Sequence, residues 1–415
     1  MREFEGVIAI LDGAVPRDAA PLMKVQRNDW LPRRIVAIDG STITHKVKNG
    51  FPGAEATLLM LSVVFIDVSK LAAITPKEIP SPRIFNEMDR ASTLDAVLPG
   101  SNIHRGGNDT PRRFFRKQVF DAIGGKLDPT HETLLDTLRE ITAGRRADQC
   151  PIEDCSRRYA AGTREYVCAC EKKQPLFETD AFRFHERFNE LGSNGEVHGE
   201  VRHVLEVLSL VNLLRYFEHD SRIHYLKSSA FILDGPLAVF GQPAWLAPYV
   251  RREIMRLSEK SRVSNNCDIL LMGIEKGGQY VTHFFDIDWT DEQGPRSKYR
   301  AGTVIVPDAR YVNRNIVFRP EDAKPSGVDT YFGRKVFYKN RVGAHSVLNL
   351  GVVNSEGLDF SNTSAAAFPR LADALNVLDH LSTYLYQDAF MPLVRAHAHA
   401  AIPLKRGTEN SDQSV

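Results

Sequence analysis

Two aspartates stand at the ends of apolar, strand-like runs, and glycine follows each of them. RRIVAIDGS carries Asp39 and Gly40, and SAFILDGPL carries Asp234 and Gly235. An open α/β sheet presents its functional groups at strand ends. Two carboxylates on neighbouring strands would converge on Mg²⁺ or Mn²⁺, and such sites hydrolyse phosphodiesters. Asp-Gly is also an ordinary turn signal, but two copies in such similar settings favour a functional pair.

Four of the five cysteines lie close together in the sequence. CPIEDC supplies Cys150 and Cys155, and CAC supplies Cys168 and Cys170. Two cysteine pairs on short loops suit tetrahedral coordination of zinc, and four thiolates would make the site structural. Clustered free thiols are the alternative, although clustering in a cytosolic chain indicates metal rather than disulfides. Cys267, inside NNCDILLMGI, stands alone and is interpreted as a buried core residue.

Composition is typical of a soluble globular protein: the chain has 415 residues, 43% hydrophobic and 25% charged. A net charge of +1 excludes a global attraction to nucleic acid, so any basic surface must be local. MREFEGVIAI lacks the layout of a signal peptide. The longest apolar stretch, ATLLMLSVVFI, is about half of what a bilayer span needs. These features predict a cytoplasmic protein without membrane association, and the polar run from Arg406 predicts a disordered tail.

Strand-like and helical patterns are mixed along the chain, which indicates an α/β core. The predicted strands are 35–39, 57–68, 229–235 and 268–276, followed by TVIVPD and RKVFYKN. The predicted helices are 111–124, 132–144, 201–219, 248–261 and 368–386. No phosphate-binding loop, dinucleotide fingerprint, nucleophile elbow or H-E-x-x-H motif is present in the sequence. ATP hydrolysis, dinucleotide redox chemistry and zincin proteolysis therefore have no support.

Several short phrases resemble the NurA nuclease family. They are AIDGS with a following hairpin that ends in VVFIDVS, then FILDGPL, and finally MPLVRAHAHAAI. The resemblance runs from about Arg33 to Ile402, with the cysteine segment as an addition. It implies an RNase H-like mixed sheet flanked by helices, Mn²⁺-dependent cleavage and a homodimer. It also implies resection of DNA ends beside a HerA-type hexameric translocase.

The expected organisation follows from that resemblance. Residues 1–140 and 186–405 would form the two parts of one nuclease domain, and 145–175 would be a small zinc-binding insertion. Residues 406–415 would be the tail. The family's two metal-binding aspartates match Asp39 and Asp234, and its C-terminal histidine matches His397. An imidazole there could ligate the ion or relay a proton. On a helix, His399 would point elsewhere.

The family also expects a glutamate on the helix before the second aspartate's strand. In VRHVLEVLSLVNLLRYFEH, Arg202, Glu206 and Ser209 form one polar stripe. A carboxylate on this apolar helix is costly unless it meets a cation, so we choose Glu206. A solvated stripe is the alternative interpretation. The other candidate glutamates are Glu196, Glu200 and Glu218.

Other residues have weaker signals for a role at the site or in DNA contact. Lys276 follows a predicted strand and could hold a scissile phosphate as a point charge, whereas Asp67 could simply cap a hairpin. Where the family often has a tyrosine this chain has Ala389, and Tyr386 could substitute for it. Three basic clusters could contact DNA or could be solvated surface charge. They are Arg112, Arg113, Arg116 and Lys117; Arg251, Arg252 and Arg256; and Arg334 and Lys335 with Tyr331 and Phe332.

These residues favour a divalent-metal-dependent deoxyribonuclease that acts on double- or single-stranded DNA ends. It would use Mn²⁺ or Mg²⁺ for catalysis and Zn²⁺ for structure, and a separate ATPase would move the DNA. DNA repair and antiviral defence both remain open as settings. The alternative is a catalytically decayed protein that binds DNA ends for such a translocase, which the departure at Ala389 leaves open.

Overall fold

The computed structural model describes residues 20–47, 53–68, 89–107, 109–145, 148–150, 155, 157–159, 165–168, 175–290, 296–320, 322–381, 397 and 400. The predicted tail from Arg406 lies outside the described residues. So do Cys170, Tyr386, Ala389 and His399.

Eight of the described strands form one mixed sheet. They are β1 (Arg34–Lys46), β2 (Glu55–Asp67), β3 (Asp89–Pro99), β4 (Ser229–Asp234), β5 (Leu270–Glu275), β6 (Val304–Ile305), β7 (Gly333–Lys339) and β8 (His345–Gly351). Their spatial order is β6-β7-β8-β5-β4-β1-β2-β3. The strands β1, β2 and β3 pair antiparallel, whereas β4 pairs parallel with both β1 and β5. The remaining three strands extend the sheet beyond β5 with antiparallel pairings.

Helices flank this sheet. They are α1 (Pro111–Ile123), α2 (Leu134–Ile141), α3 (Phe184–Arg187), α4 (Gly195–Phe217), α5 (Ala247–Asn265), α6 (Gln279–Asp288), α7 (Ala309–Asn315) and α8 (Leu371–Leu381). The antiparallel meander β1–β3 and the parallel strands β4 and β5, each preceded by helices, form the mixed α/β sheet that was expected. The predicted fold class is therefore confirmed.

The two faces of β1 pack in different cores because successive side chains of a strand point to opposite faces. Val36 and Ile38 join the larger core, to which helices α4 and α5 contribute. Ile35 and Ala37 join the second core, to which α8 contributes. The α4 face and the α8 face of the sheet are named here after these helices. Among the described residues, no helix is long and apolar enough to cross a membrane.

Local sequence explains where the helices before α4 begin. Helix α1 has proline at its first position, and the side chain of Thr110 accepts a hydrogen bond from the backbone N–H of Arg113. Helix α2 begins with a reciprocal capping box between Thr133 and Asp136.

Among the described residues, three two-stranded pairs lie outside the main sheet: Asp148–Gln149 with Arg158–Tyr159, Glu165–Val167 with Pro175–Phe177, and Trp289–Thr290 with Arg296–Ser297.

Candidate active site

Asp39 does not lie at the end of its strand, so that part of the prediction was wrong. It is inside β1, which continues along β2 as far as Lys46. The parallel pairing of β1 with β4 stops at Ile38 and Leu233, one residue before Asp39 and Asp234. Asp39 therefore stands where its parallel neighbour ends. Asp234 is the last residue of β4, as predicted.

The two aspartates share one level and one face of the sheet. Asp39 and Asp234 directly follow Ile38 and Leu233, which pair with each other across the two strands. Side chains two and four residues before each aspartate pack in the core on the α8 face, so the aspartates point to that face as well. Asp39 is buried and Asp234 is partly exposed. Two carboxylates held side by side at the end of a parallel strand pair are therefore the centre of the candidate site.

The glycines after the two aspartates have different roles. Gly235 has a φ of +109°, a conformation that a residue with a side chain rarely adopts, and it turns the chain out of β4. Gly40 remains in the strand. A Cβ at position 40 would lie 2.6 Å from Oε1 of Glu206 and 2.9 Å from Cγ of Arg202. The expected turn is present at Gly235 only, and at position 40 the missing side chain makes room for helix α4.

On the α4 face of the sheet, the side chain of Glu206 occupies the space beside Gly40. It is only 1% exposed, and Arg202 donates a hydrogen bond to its carboxylate. The same guanidinium donates to the carbonyl oxygen of Gly40 at 3.1 Å. Nδ1 of His203 lies 3.2 Å from Oε2 of Glu206, and Nε2 lies 2.8 Å from the carbonyl oxygen of Ala238. Both α4 residues therefore fix the position of this buried carboxylate.

The other candidate glutamates have different partners. Glu196 and Glu200 both pair with Arg187, and Glu218 pairs with Arg256. Among the four candidates, Glu206 is the one whose charge acts on Asp39. Glu206 therefore lies within electrostatic range of Asp39, whereas the other three candidates form ion pairs with arginines.

The electrostatics of Asp39 reflect this crowding. Burial, followed by the negative charges of Asp234 and Glu206, raises the pKa of Asp39 from 3.8 to about 6. Contact with His397 acts in the opposite direction. Buried carboxylates whose charges repel one another form an all-oxygen donor set that a divalent cation would neutralise. The oxygen donors present are therefore of the type that Mg²⁺ or Mn²⁺ binds.

His397 meets this centre from the far end of the chain. Its Nδ1 lies 3.0 Å from Oδ2 of Asp39, and its side chain is 65% exposed. Nearby, Ser41 donates a hydrogen bond to the carbonyl oxygen of Ala400 at 3.3 Å. The side chain of Ala400 packs against Met60, the residue opposite Ser41 on β2. These contacts hold the described part of the C-terminal segment against β1 and β2.

Lys276, which follows β5, is brought to the same centre. Its Nζ donates to Oδ2 of Asp234 at 2.8 Å, and both side chains are partly exposed. Asp67 is different. It lies opposite Arg34 in the register of β1 and β2, five residues from Asp39 and so about 17 Å along the strand. Asp67 is therefore not part of the candidate site.

Several basic residues proposed for DNA contact are structural. Arg116 is buried and pairs with Asp180, and Lys335 is buried and pairs with Glu275. Phe332 is fully buried, so it offers no surface for stacking. Arg334 is buried and donates hydrogen bonds to the carbonyls of Gly357, Asp359, Phe360 and Asn362.

The other members of these clusters also have partners within the protein. Arg112, Arg113 and Lys117 pair with nearby carboxylates, and Arg256 pairs with Glu218 and Glu253. Arg251 and Arg252 donate to backbone carbonyls, and Tyr331 packs edge-on against Phe240. These ion pairs leave the side chains of Arg112, Arg113, Lys117 and Arg256 partly exposed, so DNA contact by them stays a prediction.

Sequence reasoning missed His203 as a site residue. It lies three residues before Glu206, on the same side of helix α4, so a search for polar neighbours at helical spacing could have found it. It connects Glu206 to Ala238, which lies in the loop after Asp234. Its two ring contacts therefore join the helix to the strand end that carries the second aspartate.

Three of the four clustered cysteines lie together, in a buried group separate from the main cores. Cys150, Cys155 and Cys168 are all buried, and their sulfur atoms lie within 4.8 Å of one another. Such a group could bind zinc. Cys267 is half-buried and accepts a hydrogen bond from the Arg370 guanidinium, so its assignment as a plain core residue was wrong.

Comparison with known proteins gives little beyond this geometry. No protein-family model matches the sequence, and no curated protein matches it. One similar solved structure is the NurA nuclease from Sulfolobus solfataricus, at 11% sequence identity and a TM-score of 0.29. That match covers 99% of this chain and 94% of the other. Similarity at this level carries no argument about activity.

Proposed function

We propose that this protein is a divalent-metal-dependent deoxyribonuclease. The observation that carries the proposal is the pairing of Asp39 and Asp234 at one level of two parallel strands, with Glu206 near enough for its charge to act on Asp39. Carboxylates that are buried or partly buried and repel one another are unfavourable on their own and favourable around a hard cation. The proposed cation is Mn²⁺, with Mg²⁺ as the substitute.

The residues would divide the work as follows. Asp39, Glu206 and Asp234 hold the cation, which when bound activates water and stabilises charge on the transferring phosphate. Lys276, beside Asp234, holds the scissile phosphate as a positive point charge. His397 has a mostly exposed ring next to Asp39, where it moves a proton to or from the reacting groups.

We further propose that the substrate is a DNA end and that a HerA-type hexameric ATPase acts beside the protein. This part rests on the resemblance of the phrases around Asp39, Asp234 and His397 to the NurA nuclease family. The sequence has no phosphate-binding loop, so movement along DNA would need the partner. The homodimer expected for the family belongs to the same proposal, as does a role in end resection or phage defence.

The decisive experiment uses purified full-length protein and a long linear duplex labelled at its ends. We expect short trimming of the ends with Mn²⁺ and no cleavage by the Asp39→Asn, Asp234→Asn double variant. Long resection should appear only when the candidate ATPase and ATP are added. Equal cleavage by wild type and double variant would refute the nuclease assignment. End binding without cleavage by the wild type, under every divalent metal tried, would favour the catalytically decayed alternative.

A further inference from the structure

Few of the described residues around the cysteine cluster form an apolar core. Cys150, Cys155 and Cys168 are between 5% and 8% exposed, and Leu176 is the one other described member of their buried group. The hairpins around them are only two or three residues long on each strand. Hairpins this short are not stable in water by themselves. Some interaction other than apolar burial must therefore hold the sulfur atoms together.

The distances between sulfur atoms distinguish the possible interactions. Sγ of Cys168 lies 3.4 Å from Sγ of Cys150 and 3.7 Å from Sγ of Cys155. A disulfide would bring two sulfur atoms to about 2.05 Å. Zinc–sulfur bonds of about 2.3 Å in a tetrahedron place neighbouring sulfur atoms about 3.8 Å apart. The observed spacing therefore fits ligands around one ion and not a covalent pair.

The donor chemistry selects the ion. Thiolates are soft ligands that favour zinc over Mg²⁺ or Mn²⁺, so this group differs in kind from the carboxylates around Asp39. Within the part of the chain that the structure describes, no histidine or carboxylate joins the three cysteines. Cys170, two positions after Cys168, is the fourth donor that the sequence predicts.

A separate set of contacts fastens one of these hairpins to helix α1. Arg116 donates to both carboxylate oxygens of Asp180, at 2.7 and 2.6 Å, and to the carbonyl oxygen of Pro175 at 3.0 Å. Asp180 also accepts from the backbone N–H of Phe177 at 2.7 Å. Pro175 and Phe177 belong to the strand paired with Glu165–Val167, directly before Cys168. The sulfur cluster is thus linked to α1 through one short hairpin.

We propose that Cys150, Cys155, Cys168 and Cys170 bind one zinc ion with a structural role. The ion joins the hairpin around Cys150 to the hairpin before Cys168, and the Arg116–Asp180 ion pair joins that second hairpin to α1. The zinc takes no part in phosphodiester cleavage. Its loss releases the 145–175 segment and leaves the eight-stranded sheet in place.

Metal analysis of full-length protein, purified without chelators, tests the site. We expect about one zinc per chain in the wild type. The same content is expected in Cys267→Ser, the matched control with a cysteine outside the cluster, and in Asp39→Asn. Cys155→Ser and Cys170→Ser should each lose at least about nine-tenths of the zinc, because three thiolates no longer close the site. Retention of zinc by Cys170→Ser would remove that residue from the ligand set.

A second measurement on the wild type serves if these variants fail to fold. Titration with an organomercurial reagent should release zinc in step with modification of the clustered thiols. Limited proteolysis should then begin to cut within 145–175. The proposal is overturned if the wild type contains no zinc, if the intact mass shows a disulfide, or if zinc leaves with Asp39→Asn. None of these outcomes depends on nuclease activity.

Discussion

Gly40 and Glu206 are matched to each other: a Cβ on residue 40 would lie 2.6 Å from Oε1 of the glutamate. Arg202 strengthens the match because it donates to the carbonyl oxygen of one and the carboxylate of the other. Helix α4 therefore approaches β1 at the point where the strand has no side chain. The position of a buried carboxylate depends on the absence of one methyl group.

Gly40→Ala should accordingly displace Glu206. We expect a loss of about 1–3 kcal/mol in the free energy of unfolding, as for other overpacked positions, and a larger relative loss of cleavage. Gly199→Ala is the control, since a Cβ there meets nothing within 4 Å and alanine favours the helix. Denaturant unfolding and end-cleavage assays of both variants check this. Unchanged cleavage by Gly40→Ala would mean that Glu206 is not needed.

The pKa of Asp39 predicts how stability without added divalent cation depends on pH. Because burial raises this pKa from 3.8 to about 6, the folded state keeps the proton over a range where the unfolded state loses it. Stability is therefore highest below about pH 4 for this group and falls as the pH rises through 6, by up to about 3 kcal/mol. Asp39→Asn should remove that slope. Thermal unfolding from pH 4 to 8 measures it.

Adding Mn²⁺ at pH 7 extends that experiment. The cation should raise the melting temperature of the wild type, because it binds the folded state and neutralises the repulsion between the carboxylates. Asp39→Asn should show little of this increase. An equal increase in both proteins would place the binding of Mn²⁺ elsewhere.

Lys276 should matter for activity and hardly for stability. Its ion pair with Asp234 is partly exposed, and such pairs contribute about 0–1 kcal/mol. We expect Lys276→Gln to lower cleavage by about tenfold or more, since one charged contact to the scissile phosphate is lost. Lys324→Gln is the control, because that lysine pairs with Asp329 in a fully surface setting. Equal cleavage by both variants would remove Lys276 from the site.

Arg116, in contrast to Lys276, should matter for stability. Removing one partner of its buried pair with Asp180 leaves an uncompensated charge, which costs about 3–5 kcal/mol. Lys117→Met, on the same helix with an exposed partner at Asp121, should change stability by less than about 1 kcal/mol. Denaturant unfolding compares Arg116→Met with Lys117→Met. Similar midpoints for the two would show that the buried pair is not needed to hold the hairpin on α1.

Hydrophobic pattern predicted most of the sheet and the longer helices, because buried strands and apolar helix faces leave a clear signal. It missed β3, whose sequence DRASTLDAVLP is polar at many positions, and also β8 and the aromatic helix α6. It also ended β1 too early. Beyond Gly40 the strand is only partly buried and reads STITHK, which carries little hydrophobic signal.

Some features of the candidate site could likewise be predicted from the sequence, and others could not. The aspartates could be found from the sequence because each closes an apolar run and precedes a glycine, although only Asp234 ends its strand. The role of Gly40 could not, since it depends on which helix packs over β1. Nor could the burial of Arg116, Arg334 and Lys335, because a basic residue in the sequence carries no sign of the carbonyls or carboxylates that will surround it.

The contact between Asp39 and His397 also determines when, during translation, the candidate site can be completed. The two residues are 358 positions apart, and chains emerge from the ribosome N-terminus first. Asp39, Glu206 and Asp234 have therefore all been translated well before the imidazole exists. Closing so long a segment is also entropically slow. A nascent chain thus carries the carboxylates before their histidine, and the complete set of groups can form only after His397 has been translated.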